Sequence, residues 1–165
     1  MSVLGGASRP SSVLRKAPLV IGLGLLLSLA GCGQDEGVAE DATVSAYVDA
    51  PLCAGAKQEL LSHKGRAGSL SVRAVCLPGA TEDRKLNLAT LGANARSATE
   101  DSTAVAYLEA SDPKASRFTH PILKTAEIPW IASSSGKDAM AKLLEAIEDA
   151  GTSGSLRASL FDELG

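Results

Sequence analysis

Residues 43–77 read TVSAYVDAPLCAGAKQELLSHKGRAGSLSVRAVCL, and the change of periodicity inside them decides the fold. Over 43–48, Val44, Ala46 and Val48 alternate, the period-two pattern of a strand with one buried face. From 51 to 65, Ala56, Leu60 and Leu61 recur at helical spacing, and Gly65 ends the run. Over 69–77, Leu70, Val72, Ala74 and Cys76 return to period two. A strand, a helix and a strand joined by short turns imply parallel strands with a right-handed crossover.

The alternation continues downstream. Residues 84–100 place Leu88, Leu91 and Ala95 on one helical stripe, and TAVAYLEA (103–110) is apolar almost throughout, as for a strand covered on both faces. KASRFTHPILKTAE (114–127) reads as a helix kinked or restarted at Pro121, because proline lacks the backbone donor and crowds the preceding turn. IPWIA (128–132) is a short fourth strand closed by SSSG. Met140, Leu143, Leu144 and Ile147 then stripe a helix over 137–151, and Leu156, Leu160, Phe161 and Leu164 stripe another over 156–164. The expected fold class is α/β: a three-layer α/β/α sandwich around a small parallel sheet of about four strands. Such folds bind ligands beyond the carboxyl ends of their strands, here Asp49-Ala50-Pro51, Leu77-Pro78, Glu109-Ala110-Ser111 and Ser133-Ser134-Ser135.

Upstream of Thr43 the chain changes character. Arg9, Arg15 and Lys16 precede APLVIGLGLLLSLA (17–30), whose uncharged run is short of the ~20 residues a membrane-crossing helix needs. The pattern is that of a secretory signal. Leu29-Ala30-Gly31-Cys32 resembles the bacterial lipobox, which implies cleavage before Cys32 and a diacylated thiol there. Residues 1–31 are thus expected to be a lipoprotein signal peptide, 32–42 a lipidated Cys and flexible tether, and 43–165 a single lobe. Removing the signal takes away three positive charges and no negative ones, so the net charge of −3 becomes −6. That balance, with aromatics at 3%, argues against a nucleic-acid partner. The expected localisation is the extracytoplasmic face of the cell membrane, held by the lipid.

Two cysteines then remain in an oxidising compartment, where disulfides persist. Cys53 lies just past the end of the first strand and Cys76 at the end of the second, so neighbouring parallel strands bring both to one edge of the sheet. The expected bridge closes a loop of about 24 residues and stabilises the domain by roughly 3 kcal/mol. A pair of buried free thiols is the other reading.

Catalytic and metal-binding patterns are not evident. His63 and His120 have no partner at metal-ligand spacing and read as surface residues of helices; phosphate loops, nucleophile elbows and zinc helices do not occur. Asp49 stands alone where a phosphoacceptor domain needs paired acids, and Glu109 stands where it needs Asp. No enzyme activity, cofactor or metal is therefore expected. The run Ser133, Ser134, Ser135, next to Ser111 on the neighbouring strand, offers hydroxyls and backbone donors for the carboxylate of a small ligand; Ser and Gly also simply make good loops.

AYVDAPLCAGAKQEL, YLEASDPKASRFTHPILKTAEIPWIASSS and AMAKLLEAIEDAGTSGSLRASL resemble successive parts of type 1 periplasmic binding proteins, in particular the branched-chain amino-acid receptors of ABC transporters. The resemblance covers most of 43–164 and implies lobe one only, because lobe two is missing between Ala132 and Lys137. Carried over by position, it implies a ligand site at Ala110, Ser111, Ser133, Ser134 and Ser135. It implies a solute-binding or sensing module, an amino-acid-like solute, and an ABC permease or another envelope protein as partner. A single lobe cannot close over its ligand, so weak or no amino-acid binding is expected of it. A docking or scaffold lipoprotein without a small ligand is the alternative. The resemblance also places Glu127 where the family usually carries Gly, which implies a strained left-handed backbone there.

Overall fold

The structure, a computed structural model, describes residue 39 and residues 41–82, 85–151 and 155–164. The predicted signal, Cys32 and tether residues 33–38 and 40 lie outside them. In chain order the elements are β1 (Thr43–Val48), α1 (Ala50–Ser62), β2 (Arg66–Ala67), β3 (Leu70–Cys76), β4 (Thr81–Glu82), β5 (Lys85–Leu86), α2 (Leu88–Glu100), β6 (Ala104–Ala110), α3 (Pro113–Thr125), β7 (Trp130–Ser133), α4 (Gly136–Ala150) and α5 (Leu156–Leu164). One sheet has the order β2-β3-β1-β6-β7, with β3, β1, β6 and β7 mutually parallel and β2 antiparallel at the edge. Helices cover both faces, so the three-layer α/β/α sandwich stands, with β2 and a separate β4-β5 hairpin added to the four expected strands.

The two central strands carry the core. Val44, Ala46 and Val48 of β1 pack with Leu52, Ala56 and Leu60 of α1 and with the buried stripe Met140, Leu143, Leu144 and Ile147 of α4. Each large apolar side chain taken from water contributes about 1.5–3 kcal/mol. The opposite face is smaller: Tyr47 and Tyr107 pack with Ala95 and Ala98 of α2 and with Leu123 of α3. Between β1 and β6 the register slips, Ser45 facing Ala104 and Ala46 facing Ala106. Val105 is the extra residue of a bulge, which lets Val105 and Ala106 both join the larger core.

α1 and α4 meet at glycines. A Cβ on Gly136 would overlap the Leu52 carbonyl, and one on Gly55 would approach the Lys137 nitrogen at 3.0 Å. The backbones can lie this close only because neither residue has a side chain.

Element limits shift where local chemistry intervenes. α2 starts at Leu88, later than the predicted 84, because the Asn87 side chain accepts a hydrogen bond from the Thr90 N–H and caps it there. α1 stops at Ser62, before Gly65, because Lys64 and Gly65 both take positive φ. α3 continues through Pro121, which sits on the exposed side, where the carbonyl its missing N–H leaves free can turn to solvent. Glu127 has φ 52°, the left-handed conformation anticipated for that position.

Candidate functional site

The chain leaves β1 for β3 on one side and returns from β3 to β6 on the other, so the strand order reverses between β1 and β6. At such a switch point the loops diverge and leave a crevice at the carboxyl ends. A crevice of about 210 Å³ lies there, lined by the Asp49–Pro51 turn, the Pro78–Thr81 loop, Leu86 and Leu91, and by Ala110, Asp112 and Ala115. That is below the ~300 Å³ at which pockets for drug-sized ligands begin, so the space suits only a small solute.

Asp49 is the principal polar group of the crevice. It occupies the N-cap position of α1 but makes no side-chain cap bond. Its carboxylate reaches across the sheet instead, accepting from the Tyr107 hydroxyl at 2.9 Å and from the Ala110 N–H at 3.0 Å. Burial pushes the Asp49 carboxyl above its ordinary range, the two hydrogen bonds pull it back, and the Glu109 carboxylate adds an upward push. The Tyr107 phenol is driven far up, first by burial and then by Asp49, so it remains a donor at any physiological pH. Asp112 adds a second carboxylate, which caps α3 through the Lys114 N–H. Among the described residues no Lys or Arg side chain lines the crevice. The crevice therefore favours a cationic or neutral group over an anion.

Cys53 and Cys76 come together with Cα atoms 5.6 Å apart and sulfurs at bonding distance. Cys53 follows the Asp49–Pro51 turn and Cys76 precedes Pro78, so the bridge ties together two of the loops that line the crevice.

Of the five residues named from the resemblance, only Ala110 lines the crevice; none of the four serines does, and Ser133 lines a separate hollow along β7. The serines are instead tied to one another and to the helix start. Ser111 donates its N–H to the Ser133 carbonyl at 3.1 Å. The Ser133 hydroxyl donates to the Ser135 carbonyl and accepts from the Ser135 N–H, and the Ser135 hydroxyl accepts from the Asp138 N–H to cap α4. Ser111 and Ser134 are exposed.

His63 is exposed, as expected, and pairs with Glu59 at 3.3 Å. His120 is not the surface residue predicted. Its ring stacks on Trp130 with centroids 4.1 Å apart, and its Nε2 lies 2.6 Å from the buried Glu109 carboxylate. The Ser116 and Thr119 hydroxyls donate to the same carboxylate. Strand alternation sends Glu109 under α3 while Ala110 faces the crevice. The Glu109 cluster thus satisfies a buried charge and is not part of the crevice lining. Among the described residues no group of three or more His, Cys, Asp and Glu is placed to hold a metal, and no helix is long and apolar enough to cross a membrane.

Compared with known protein families, with curated proteins and with solved structures, the chain gives no match.

Proposed function

We propose that the chain is a membrane-anchored extracytoplasmic lipoprotein whose single lobe binds or senses a small solute, in the manner of one lobe of an amino-acid ABC transporter receptor. The observation that carries this reading is the crevice at the β1/β6 switch point with the Asp49 carboxylate in its wall. The solute places an ammonium group toward Asp49, and a carboxylate, where it has one, lies toward the exposed Ser111, which sits between the lining residues Ala110 and Asp112. Binding is weak, because the crevice is open and one lobe cannot bury most of a ligand's surface.

The test is a thermal-shift and calorimetric screen of the chain from Gln34 onward, a compact unit whose core lies within it. The panel holds amino acids, amines without a carboxylate, and carboxylic acids without an amine. The amino-bearing compounds should bind and the bare acids should not, and Asp49→Asn should abolish the response. Equal binding of the bare acids, or no response to any amine, defeats the reading. Mass spectrometry of the membrane-extracted protein tests the anchor: a mature chain beginning at diacylated Cys32 is expected, and an unmodified chain beginning at Met1 overturns it.

A second reading, a protein-docking module, draws on Leu88 and Phe118. They are 52% and 38% exposed, on α2 and α3, and the Phe118 ring lies close to Gly92, one turn after Leu88. A screen that is negative throughout with the fold intact favours it.

A further inference from the structure

Among the described residues β7 ends the sheet with its outer edge open, pairing with β6 alone, Trp130 facing Tyr107 and Ser133 facing Ala110. The Pro129 carbonyl accepts from the Tyr107 N–H and the Ser133 carbonyl accepts from the Ser111 N–H, so the odd-numbered residues turn their backbone groups inward. In a parallel ladder the residues between them turn outward. The N–H and C=O groups of Trp130 and Ala132 therefore point away from the sheet.

The opposite edge is guarded. There β2 is only two residues long, Arg66 is held by Asp41 and the Ser69 carbonyl, and Glu148 of α4 takes the Gly68 N–H. β7 itself carries no charge, no proline and no register slip, and Ala132 is exposed, although Phe161 of α5 packs edge-on against Trp130. A strand edge without such devices is a template for another strand. A hollow of about 360 Å³ runs along this one, walled by β7 itself and by Asp138, Ala139, Lys142 and Leu164.

We propose that this edge pairs with the same edge of a second copy of the chain. A two-fold axis perpendicular to the sheet and passing beside Ile131 sets Trp130 of each copy against Ala132 of the other. In an antiparallel pair of that kind each facing couple exchanges both N–H···O=C bonds, so all the outward groups of the strand are satisfied. The parallel alternative is excluded by symmetry, because an axis along the strands would set like group against like.

The flanking charges match the same arrangement. Asp138 and Lys142 lie one turn apart at the exposed start of α4. The two-fold axis presents Asp138 and Lys142 of one copy to Lys142 and Asp138 of the other. A single acid and a single base in this position make a self-complementary rim. The proposal is independent of any ligand in the crevice.

Sedimentation analysis of the chain from Gln34 onward over a wide concentration range tests it. A monomer–dimer equilibrium is expected. Ala132→Pro, which removes an outward N–H that no strand of the monomer uses, should weaken association at least about tenfold while leaving far-UV circular dichroism unchanged. If that variant does not fold, Ala132→Lys, at an exposed position, serves in its place. Asp138→Lys should weaken the dimer, and the exchanged pair Asp138→Lys with Lys142→Asp should restore it. A chain that is monomeric at every concentration overturns the proposal, and so does a dimer indifferent to both Ala132 variants or not restored by the charge exchange.

Discussion

Gly136→Ala should be among the most damaging single-methyl additions in this molecule. The new Cβ would lie 2.7 Å from the Leu52 carbonyl carbon and 2.9 Å from the Ala56 nitrogen, and closer still to the Leu52 oxygen. Non-bonded carbon atoms in contact ordinarily sit ~3.5–4.0 Å apart, so the two helices must separate by about 1 Å. The obstacles are backbone atoms, so no rotamer change relieves the clash. Separation loosens the packing of α4, whose Met140, Leu143, Leu144 and Ile147 are each 1% exposed or less. Overpacking of a close-fitted core costs about 1–3 kcal/mol, and a backbone clash belongs at the upper end. Alanine's better helix propensity returns at most about 1 kcal/mol. The net loss is ~2 kcal/mol, a fall in Tm of roughly 7 °C for a domain of this size. Differential scanning calorimetry of the chain from Gln34 measures it, with Gly79→Ala as control, because a Cβ there meets only the Ala50 side chain at an ordinary 3.8 Å. If Gly136→Ala melts with the wild type while its helicity is unchanged, the close crossing of α1 and α4 is wrong.

Three further outcomes follow from other sites. Glu127→Gly should stabilise by about 0.5–1 kcal/mol, since a non-glycine residue at φ 52° is strained and part of the gain is offset by a freer unfolded chain; Glu127→Ala, compared by urea denaturation, should give no gain. Replacing Cys53 and Cys76 by Ala should cost about 3 kcal/mol for a bridge spanning 23 residues, and hydrogen exchange should show the Pro78–Thr81 loop losing protection; unchanged exchange there would separate the bridge from the crevice. Burial raises the Asp49 carboxyl, so the folded protein holds that proton more tightly than the unfolded chain. Its stabilising contribution is full in acid and is lost as pH rises through the raised folded value. Compared with Asp49→Asn, the wild type should therefore lose stability in urea melts as pH rises from about 4, the ordinary unfolded value, through the raised folded value. A gap that is constant, or runs the other way, contradicts the burial of that carboxyl.

The long elements were legible because each buries a stripe many residues long: the alternation in 43–48, the apolar run of 104–110 and the spacing of Met140, Leu143, Leu144 and Ile147 mark them without any structure. β2, β4 and β5 were not, because two residues carry no period. The disulfide was expected from the two strand ends together with the predicted oxidising compartment and the even pair of cysteines left there. The crevice was legible only in outline. Ala110 was identified through its strand end, but the bond from Tyr107 to Asp49 joins residues 58 apart, and only the register of β1 on β6 brings them together. The same holds for His120: its helical position was evident, whereas its place between Trp130 and Glu109 depends on how α3 lies over β6 and β7. Gly136 read as part of a loop, since nothing local announces that another helix passes against it.

The direction of β1 has a consequence for where the crevice looks. The strand starts at Thr43 and delivers the chain to Asp49 after six residues, ~20 Å further on, so Thr43 and the crevice are at opposite poles of the sheet. If Cys32 carries the proposed lipid, the ten residues 33–42 span at most ~35 Å, and a lone copy would turn its crevice outward, away from the lipid. Two copies joined through β7 as proposed would have their starting poles at opposite ends of one continuous sheet. Both would then meet the same bilayer most easily with that sheet lying along it, which would turn the two crevices sideways, in opposite directions across the membrane surface.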